Sequence, residues 1–352
     1  MKAMFRPLLS AGVAVAALFL AAPAVAEPPA ALSLVGRADL PGYSGDFDHF
    51  AYDLKGNRLF LAAEDHATLE VFDLRSGEHL KTIEGFDAPH SILYLPASNR
   101  LLVTDSGKTL TKVLDGTSYK PLGTIRLTPG ADSTGYDVPR NRYYVVTGGK
   151  NADMKQSFLA EIDPASGKHY GDIPFDAEHV EAMAVEQRGG HLYINVTDKN
   201  YVAVVDKKTR KVVGNWSIKE AEQNALAAMD EEAHRLFVVT RKPGKLLVLD
   251  TGTGATVASF DAPGRADQVA FDQANHRIYV MGGQGYIGVY QEIDPDHYAK
   301  LPDVQTAAGA KTGILVPELS RLFVAVSPGD GKTGAAVLQF AVAPAGTAAG
   351  TQ

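Results

Sequence analysis

The 352-residue sequence contains no cysteine. That absence excludes disulfide bonds, thiolate metal sites, iron–sulfur clusters, c-type haem attachment and a cysteine nucleophile. Tryptophan occurs only once, at Trp216. Basic residues are in deficit as well, because 34 Lys and Arg stand against 41 Asp and Glu, for a formal net charge of −7. Such a balance lacks the basic footprint of a nucleic-acid-binding protein, so we expect no nucleic-acid partner.

Long apolar runs are scarce, and the one that stands out lies at the N-terminus. Lys2 and Arg6 flank the start of a nearly continuous apolar stretch over residues 8–22, and the small residues 24–26 offer a cleavage site. This pattern is typical of a secretory signal peptide, which we place at residues 1–26. An uncleaved membrane anchor is the alternative, but the run is short for a full membrane span. We therefore expect no transmembrane anchor after cleavage, and a periplasmic location.

The remaining sequence repeats itself seven times. The repeated phrase is a small or polar residue, a basic residue and an apolar run, as in Asn57-Arg58-Leu59-Phe60. Successive phrases start 42 to 49 residues apart, which is a period typical of repeat architectures. The seven phrases begin at Asn57, Asn99, Asn141, Gly190, His234, His276 and Ser320.

Each repeat contains about four short strand patterns. In the first repeat they cover Phe50–Asp53, 58–62, Thr68–Asp73 and His79–Ile83, with turn residues between them. Four strands in a period of about 40–50 residues predict one blade of a β-propeller. Residues 219–229 alone have a briefly helical pattern, and we expect a short helix there.

Seven blades must close into a ring, because an open ring would leave two bare sheet edges. The seventh repeat ends after about three strands, near Ala341, and residues 33–40 form a strand pattern ahead of the first repeat. We expect this N-terminal strand to complete the seventh blade. The sequence thus predicts an all-β fold, a seven-bladed β-propeller of four-stranded blades over residues 32–341, followed by a disordered tail at 342–352.

The repeat phrases resemble those of the YVTN/YncE-like seven-bladed β-propellers of bacteria. The similar phrases lie at residues 57–62, 69–73 and 247–250, and the resemblance extends over nearly all of 32–341. It implies a periplasmic propeller but no particular activity. The Gly-His and Trp-Asp signature of WD repeats is missing, and a single tryptophan cannot supply the several docking motifs of quinoprotein dehydrogenases.

Equivalent positions of the seven blades are expected to meet at one end of the central channel, because the first strand of each blade lines it. The position nine residues before each repeat phrase is ionisable in six of the seven blades. Carboxylates and imidazoles gathered at one axis repel each other or share protons unless a cation lies between them. The seven residues are Asp48, His90, Asp132, Glu181, Ala225, Asp267 and Lys311.

These donors predict a divalent metal ion of the zinc, manganese or calcium kind as the cofactor. Lys311 could instead pair with a carboxylate or hold an anionic ligand, and Gln268 is a second candidate for ligand binding. Two simpler interpretations stay open: strand starts are often polar because they touch water, and His49 could turn between blades. The predicted metal ligands are Asp48, His49, His90, Asp132, Glu181 and Asp267.

The loops between the second and third strands should frame the same end of the channel. Glu64-Asp65-His66 in the first repeat offers outer ligands, although a charged turn is more often only solvated. The third repeat has the longest such loop, at residues 148–155, which accounts for its longer period. Long loops on a rigid scaffold commonly carry function.

Three functions compete for this arrangement. The first is a periplasmic protein that binds a metal ion or small ligand, or a periplasmic protein partner, without transforming it. The second is a metal-dependent hydrolase, lactonase or lyase, in which Glu181 or His90 moves protons beside the ion. The third is a protein-interaction scaffold. The absence of a familiar catalytic motif favours the binding protein.

Overall fold

The computed structural model describes residue 1 and residues 30–107, 110–328 and 334–345. The predicted signal segment, apart from Met1, lies outside these described residues, as does the part of the predicted tail at 346–352. None of the described residues forms a helix that is both long and apolar enough to cross a membrane.

Seven four-stranded antiparallel sheets form the blades of a ring, which confirms the predicted all-β propeller. Strand β1 covers Leu32–Asp39. Blade one contains β2 (Phe50–Asp53), β3 (Arg58–Ala63), β4 (Thr68–Asp73) and β5 (His79–Ile83). Blade two contains β6 (Pro89–Leu95), β7 (Arg100–Asp105), β8 (Leu110–Asp115) and β9 (Pro121–Arg126). Blade three contains β10 (Thr134–Asp137), β11 (Arg142–Gly148), β12 (Ser157–Ile162) and β13 (His169–Phe175).

The other four blades follow the same order. Blade four contains β14 (Val180–Val185), β15 (His191–Val196), β16 (Tyr201–Asp206) and β17 (Lys211–Ser217). Blade five contains β18 (Glu222–Asp230), β19 (Arg235–Lys242), β20 (Gly244–Asp250) and β21 (Thr256–Asp261). Blade six contains β22 (Ala266–Asp272), β23 (Arg277–Gly282), β24 (Tyr286–Asp294) and β25 (His297–Gln305). Blade seven contains β26 (Ala310–Val316), β27 (Arg321–Val326) and β28 (Ala336–Val342), and short 3-10 helices cover Gly149–Ala152, Thr197–Lys199 and Pro317–Leu319.

The repeat phrase marks the turn between the first two strands of each blade. Its first residue has a left-handed backbone in six blades, with φ of 56° at Asn57 and 50° at Ser320, for example. Asparagine accepts this conformation more readily than most residues, which explains its use in the first three repeats. The apolar residues that follow are buried between adjacent blades, where Phe60, Tyr193 and Tyr279 are at most 1% exposed.

The ring is closed by the N-terminal strand, as predicted. β1 pairs antiparallel with β28, from Leu32 opposite Val342 to Asp39 opposite Ala336, and becomes the fourth strand of blade seven. The ordered chain then continues past 341, because the backbone N–H of Ala343 donates to the Ala31 carbonyl over 3.0 Å. The backbone N–H of Ala345 donates to Asn275 Oδ1 over 2.8 Å.

The predicted helix at residues 219–229 is wrong, because Glu222–Asp230 forms β18, the innermost strand of blade five. Alanines at 225, 227 and 228 favour a helix by intrinsic propensity. Here β18 pairs with β19 and contacts the first strands of blades four and six. Ala225 is fully buried at this crowded centre, so tertiary packing overrides the local preference.

We predict that Leu32→Ala lowers the free energy of unfolding by about 2–4 kcal/mol, since it empties a packed site in the closing strand. Leu32 is 2% exposed and packs with residues of β24, β27 and β28. Leu34, in the same strand, is 58% exposed, so Leu34→Ala is the matched control and should change stability by less than about 0.5 kcal/mol. Urea unfolding measures both, and equal small losses would show that β1 does not close the ring.

Candidate functional site

The starts of the innermost strands surround a polar cavity of about 200 Å³ at one end of the channel, which we call the mouth. All six residues predicted as metal ligands line it. Ala182 and Leu226 are the apolar members of its lining. The lining residues are Asp48, His49, Glu64, His90, Asp132, Ser133, Lys150, Asn151, Glu181, Ala182, Leu226, Arg241 and Asp267.

One side of the mouth is an acidic cluster, which we define as Asp48, Glu64 and Asp132 around His90. The imidazole Nδ1 lies 2.5 Å from Asp48 Oδ2 and 3.9 Å from Asp132 Oδ1. Its Nε2 lies 3.8 Å from Glu64 Oε1 and 2.9 Å from the hydroxyl of Ser106. His90 is buried, so these partners rather than water decide its protonation.

The charge state of His90 follows from this crowding. Burial alone would lower its pKa, but the hydrogen bond to Asp48 and the charges of Asp48, Asp132 and Glu64 raise the pKa to about 10. His90 is therefore an imidazolium at neutral pH. The pKa of Asp48 is held below its usual range: burial would raise it, but His49, His90 and Lys311 outweigh that effect.

The other two acids of the cluster are difficult to ionise. Burial and the charges of Asp48, Asp65 and Asp132 raise the pKa of Glu64 to about 7, although His90 opposes the shift. Burial and the charges of Glu181 and Asp48 raise the pKa of Asp132 to about 6, again against His90. One imidazolium thus compensates three neighbouring carboxyl groups only in part. A divalent ion would compensate them more fully.

The opposite side of the mouth carries cations. Glu181 Oε1 lies 3.4 Å from Lys150 Nζ and 3.2 Å from Arg241 Nη1, and His179 also bonds to it. Arg241 Nη2 lies 2.7 Å from Asp267 Oδ1. Burial would raise the pKa of Glu181, but the bond to His179 and the charges of Arg241 and Lys150 hold it well below its usual range.

The two residues predicted to bind a ligand are placed differently from the metal-ligand candidates. Lys311 pairs with Asp46 over 2.9 Å and with Asp267 over 3.0 Å. Gln268 donates through Nε2 to the carbonyl of its neighbour Val269 over 3.3 Å. Neither is among the residues that line the cavity. Lys311 thus takes the carboxylate pairing that the sequence left open.

The long loop of blade three brings two residues that the position count missed. Gly148 and Gly149 have positive φ values of 76° and 60°, and a Cβ on Gly149 would lie 2.5 Å from the Glu178 carbonyl oxygen. Only glycine tolerates both the positive φ and the close approach of this oxygen. The 3-10 turn that follows places Lys150 at the mouth, and Asn151 donates to Asp132 over 2.8 Å. The extra length of this loop was the sequence signal that pointed to it.

Two overlapping groups at the mouth have the spacing of a metal site. Each holds three residues whose ligand atoms lie within 4.8 Å of one another: Asp48, Glu64 and His90 in the first, Asp48, His49 and Asp132 in the second. His49 Nε2 lies 3.4 Å from Asp48 Oδ1, so this imidazole faces the acids. A third such group among the described residues lies away from the mouth, at Asp230, His276 and Glu292.

Comparison with known proteins supports the fold and no more. No protein-family model matches the chain, and no curated protein matches it. A Kuenenia stuttgartiensis hydrazine synthase chain is similar, with a TM-score of 0.71 and 14% identity over 86% of this chain and 99% of that one. A chain in the crystal structure of a mitotic checkpoint complex is similar as well, with a TM-score of 0.72 and 15% identity over 94% of this chain and 99% of that one. At such identities the likeness shows a β-propeller fold alone, and the YVTN/YncE-like family stays a prediction.

We predict that Glu64→Gln raises the free energy of unfolding at pH 8 by about 1–3 kcal/mol in buffer with a chelator. When folding raises the pKa of a carboxyl group, its contribution to stability is fully present at pH values below the pKa of the unfolded state. For Glu64 this contribution is lost as pH rises through about 7. Glutamine cannot ionise, so it avoids that loss. The advantage over the parent protein should vanish near pH 4.

Urea unfolding at several pH values measures this difference. Glu84→Gln is the matched control, because Glu84 is an exposed glutamate in the same blade-one unit. It should change stability by less than about 0.5 kcal/mol at every pH. A Glu64→Gln protein that is equally stable or less stable at pH 8 would contradict the electrostatic account of the acidic cluster.

Proposed function

We propose that this protein is a periplasmic β-propeller that binds a divalent metal ion at the mouth of its channel, with room for a small ligand beside it. The observation that carries the proposal is the pair of overlapping three-residue groups that share Asp48, with ligand atoms within 4.8 Å. Carboxylates and imidazoles at such distances are the donors that divalent ions take from proteins.

The contacts of His90 favour one coordination mode. Nδ1 faces Asp48 over 2.5 Å, whereas Nε2 faces the Ser106 hydroxyl over 2.9 Å and Glu64 over 3.8 Å, so an ion held jointly by Asp48 and His90 would bind at Nδ1. Ser106 would then hold the ring through its other nitrogen, and such a hydrogen bond behind a ligating histidine is common in metal sites, since it fixes the orientation of the ring. On binding, the ion would replace the Nδ1 proton, so uptake would release a proton.

The mixed donor set narrows the choice of metal. Calcium takes oxygen ligands, and His90 and His49 both offer nitrogen. Zinc and manganese accept carboxylate and imidazole together. We therefore favour zinc or manganese over calcium. Export through the signal peptide at 1–26 and membership of the YVTN/YncE-like family remain part of the proposal as predictions from the sequence.

We predict that the purified protein, after dialysis against a chelator, takes up one equivalent of Mn²⁺ or Zn²⁺. Asp132→Ala and His90→Ala should each weaken uptake at least tenfold, because each removes a donor from the acidic cluster. Titration calorimetry and elemental analysis measure uptake. Asp261→Ala is the control, because that side chain is 89% exposed on an outer strand, and it should bind like the parent. A parent protein that takes up neither metal would refute the proposal.

A hydrolase is the second candidate, and one observation favours it. Asp48, His90 and Ser106 form a hydrogen-bonded chain of 2.5 Å and 2.9 Å, in the order of a nucleophile triad. The charge on His90 argues against it. With a pKa of about 10, the imidazolium donates to Ser106 and cannot accept the hydroxyl proton at neutral pH.

We therefore predict that a fluorophosphonate probe leaves Ser106 unlabelled at pH 7.5, since the hydroxyl there has no general base. Mass spectrometry of the treated protein measures labelling, with a serine esterase as the positive control. A panel of lactones and esters with added Zn²⁺, Mn²⁺ or Ca²⁺ should give no turnover above buffer. Labelling that Ser106→Ala abolishes, or turnover that His90→Ala abolishes, would favour the hydrolase instead.

The interaction scaffold has less support. It calls for a concentrated apolar patch on one blade face. Among the described residues, the large apolar side chains that are exposed are scattered over several blades, for example Leu34 in blade seven, Leu80 in blade one and Leu122 in blade two. Single exposed apolar residues are ordinary on protein surfaces. A periplasmic protein partner remains a prediction.

A further inference from the structure

We infer that the small ligand of the mouth is an oxyanion, a phosphate or a carboxylate, held between the bound metal ion and the side chains of Lys150 and Arg241. This inference rests on the proposed function, because it places the anion beside the ion. It adds the chemical class of the ligand and the residues that would select it.

The two cations are positioned before any ligand arrives. Lys150 comes from the long loop of blade three and Arg241 from the end of β19 in blade five, and both line the cavity. Their nitrogens lie 3.4 Å and 3.2 Å from one and the same oxygen, Glu181 Oε1. Two cations that already share one carboxylate oxygen are close enough to share an oxygen of a ligand as well.

Both side chains keep hydrogen-bonding capacity beyond these contacts. A guanidinium has five N–H donors, and Arg241 directs three contacts to Glu181, Asp267 and the Ala266 carbonyl. An ammonium has three donors, and Lys150 contacts His179 over 2.5 Å and Glu181. The side chains are 26% and 48% exposed, so a ligand can reach them. Arginine is also well suited to phosphate and carboxylate, because its planar fork matches their oxygens.

The acidic cluster makes anion binding depend on the metal. Without an ion, the carboxylates of Asp48, Glu64 and Asp132 repel an anion that enters the same small cavity. A divalent ion neutralises these carboxylates and offers the anion a coordination position. Metal and anion should therefore strengthen each other's binding by the same factor, as linkage requires.

The mouth has room for a small anion beside the ion. Its volume is about 200 Å³, well above the roughly 10–15 Å³ that one water molecule needs in a cavity. A metal ion and an anion of a few heavy atoms fit this space. Inorganic phosphate and acetate represent the tetrahedral and planar forms of the proposed chemistry.

The test titrates phosphate, and separately acetate, into protein that has been loaded with Mn²⁺ and desalted, and into the metal-free protein. We expect at least one anion to bind the loaded protein at least tenfold more tightly. Arg241→Gln and Lys150→Gln should each weaken anion binding at least tenfold in the loaded state. Lys155→Gln is the matched control, because Lys155 lies in the same loop with a 91% exposed side chain, and it should behave like the parent.

Each outcome decides a different point. If the parent protein takes up no metal, the proposed function fails and this inference fails with it. If the metal binds but neither anion does, or if an anion binds equally well without the metal, only this inference is overturned. Arg241→Lys keeps the charge and loses the planar fork, and thermal melting verifies that every variant is folded. Weaker anion binding in that variant would show that the planar fork, and not the charge alone, holds the anion, and the anion that the loaded parent protein binds more tightly identifies the preferred form of the ligand.

Discussion

The pairing of β1 with β28 is the constraint on which the rest of the molecule depends. Seven blades leave two free edges unless the chain returns to its own start, and an exposed sheet edge invites pairing with other chains. Closure also fixes the mouth, because Asp48 follows the closing strand by nine residues at the start of blade one. The segment between them is tied to blade seven by the Asp46–Lys311 ion pair and by the bond from the Phe47 backbone to Ser327.

Closure of the ring gathers acidic side chains at the mouth, and their charges must be compensated. The ring brings acidic positions of successive blades to one axis, and burial makes their mutual repulsion stronger than it would be in water. The molecule balances this repulsion in two ways. On one side, His90 holds a proton among Asp48, Glu64 and Asp132. On the other, Glu181 and Asp267 are paired with fixed cations. Only the first side is left with carboxyl groups whose pKa values are raised to about 6 and 7.

The sequence predicted the fold and the strand positions of the mouth, because both follow from a period that any repeat architecture must keep. Asp48, His90 and Asp132 were found by counting, since equivalent positions in each blade reach the same axis. Side chains on loops were not placed by counting: the sequence indicated that these loops frame the mouth, but not that Lys150 would line it or that Ser106 would contact His90. Lys311 occupies the position that the count predicted, but its side chain does not line the cavity, because it pairs with Asp46 and Asp267. Local propensity failed at β18, where packing in the centre of the ring decided the conformation.

The loop at 148–155 has a consequence of its own. Apart from Gly148, which ends β11, it lies outside the strand ladders, so its length and composition can change at little cost to the closed ring, whereas Asp48 and His90 are tied to the strands. Most of the mouth is thus bound to the architecture, while Lys150 and Asn151 come from an exchangeable insert. Such a division lets evolution or a protein engineer replace the seven residues 149–155 to alter selectivity while the scaffold is inherited intact.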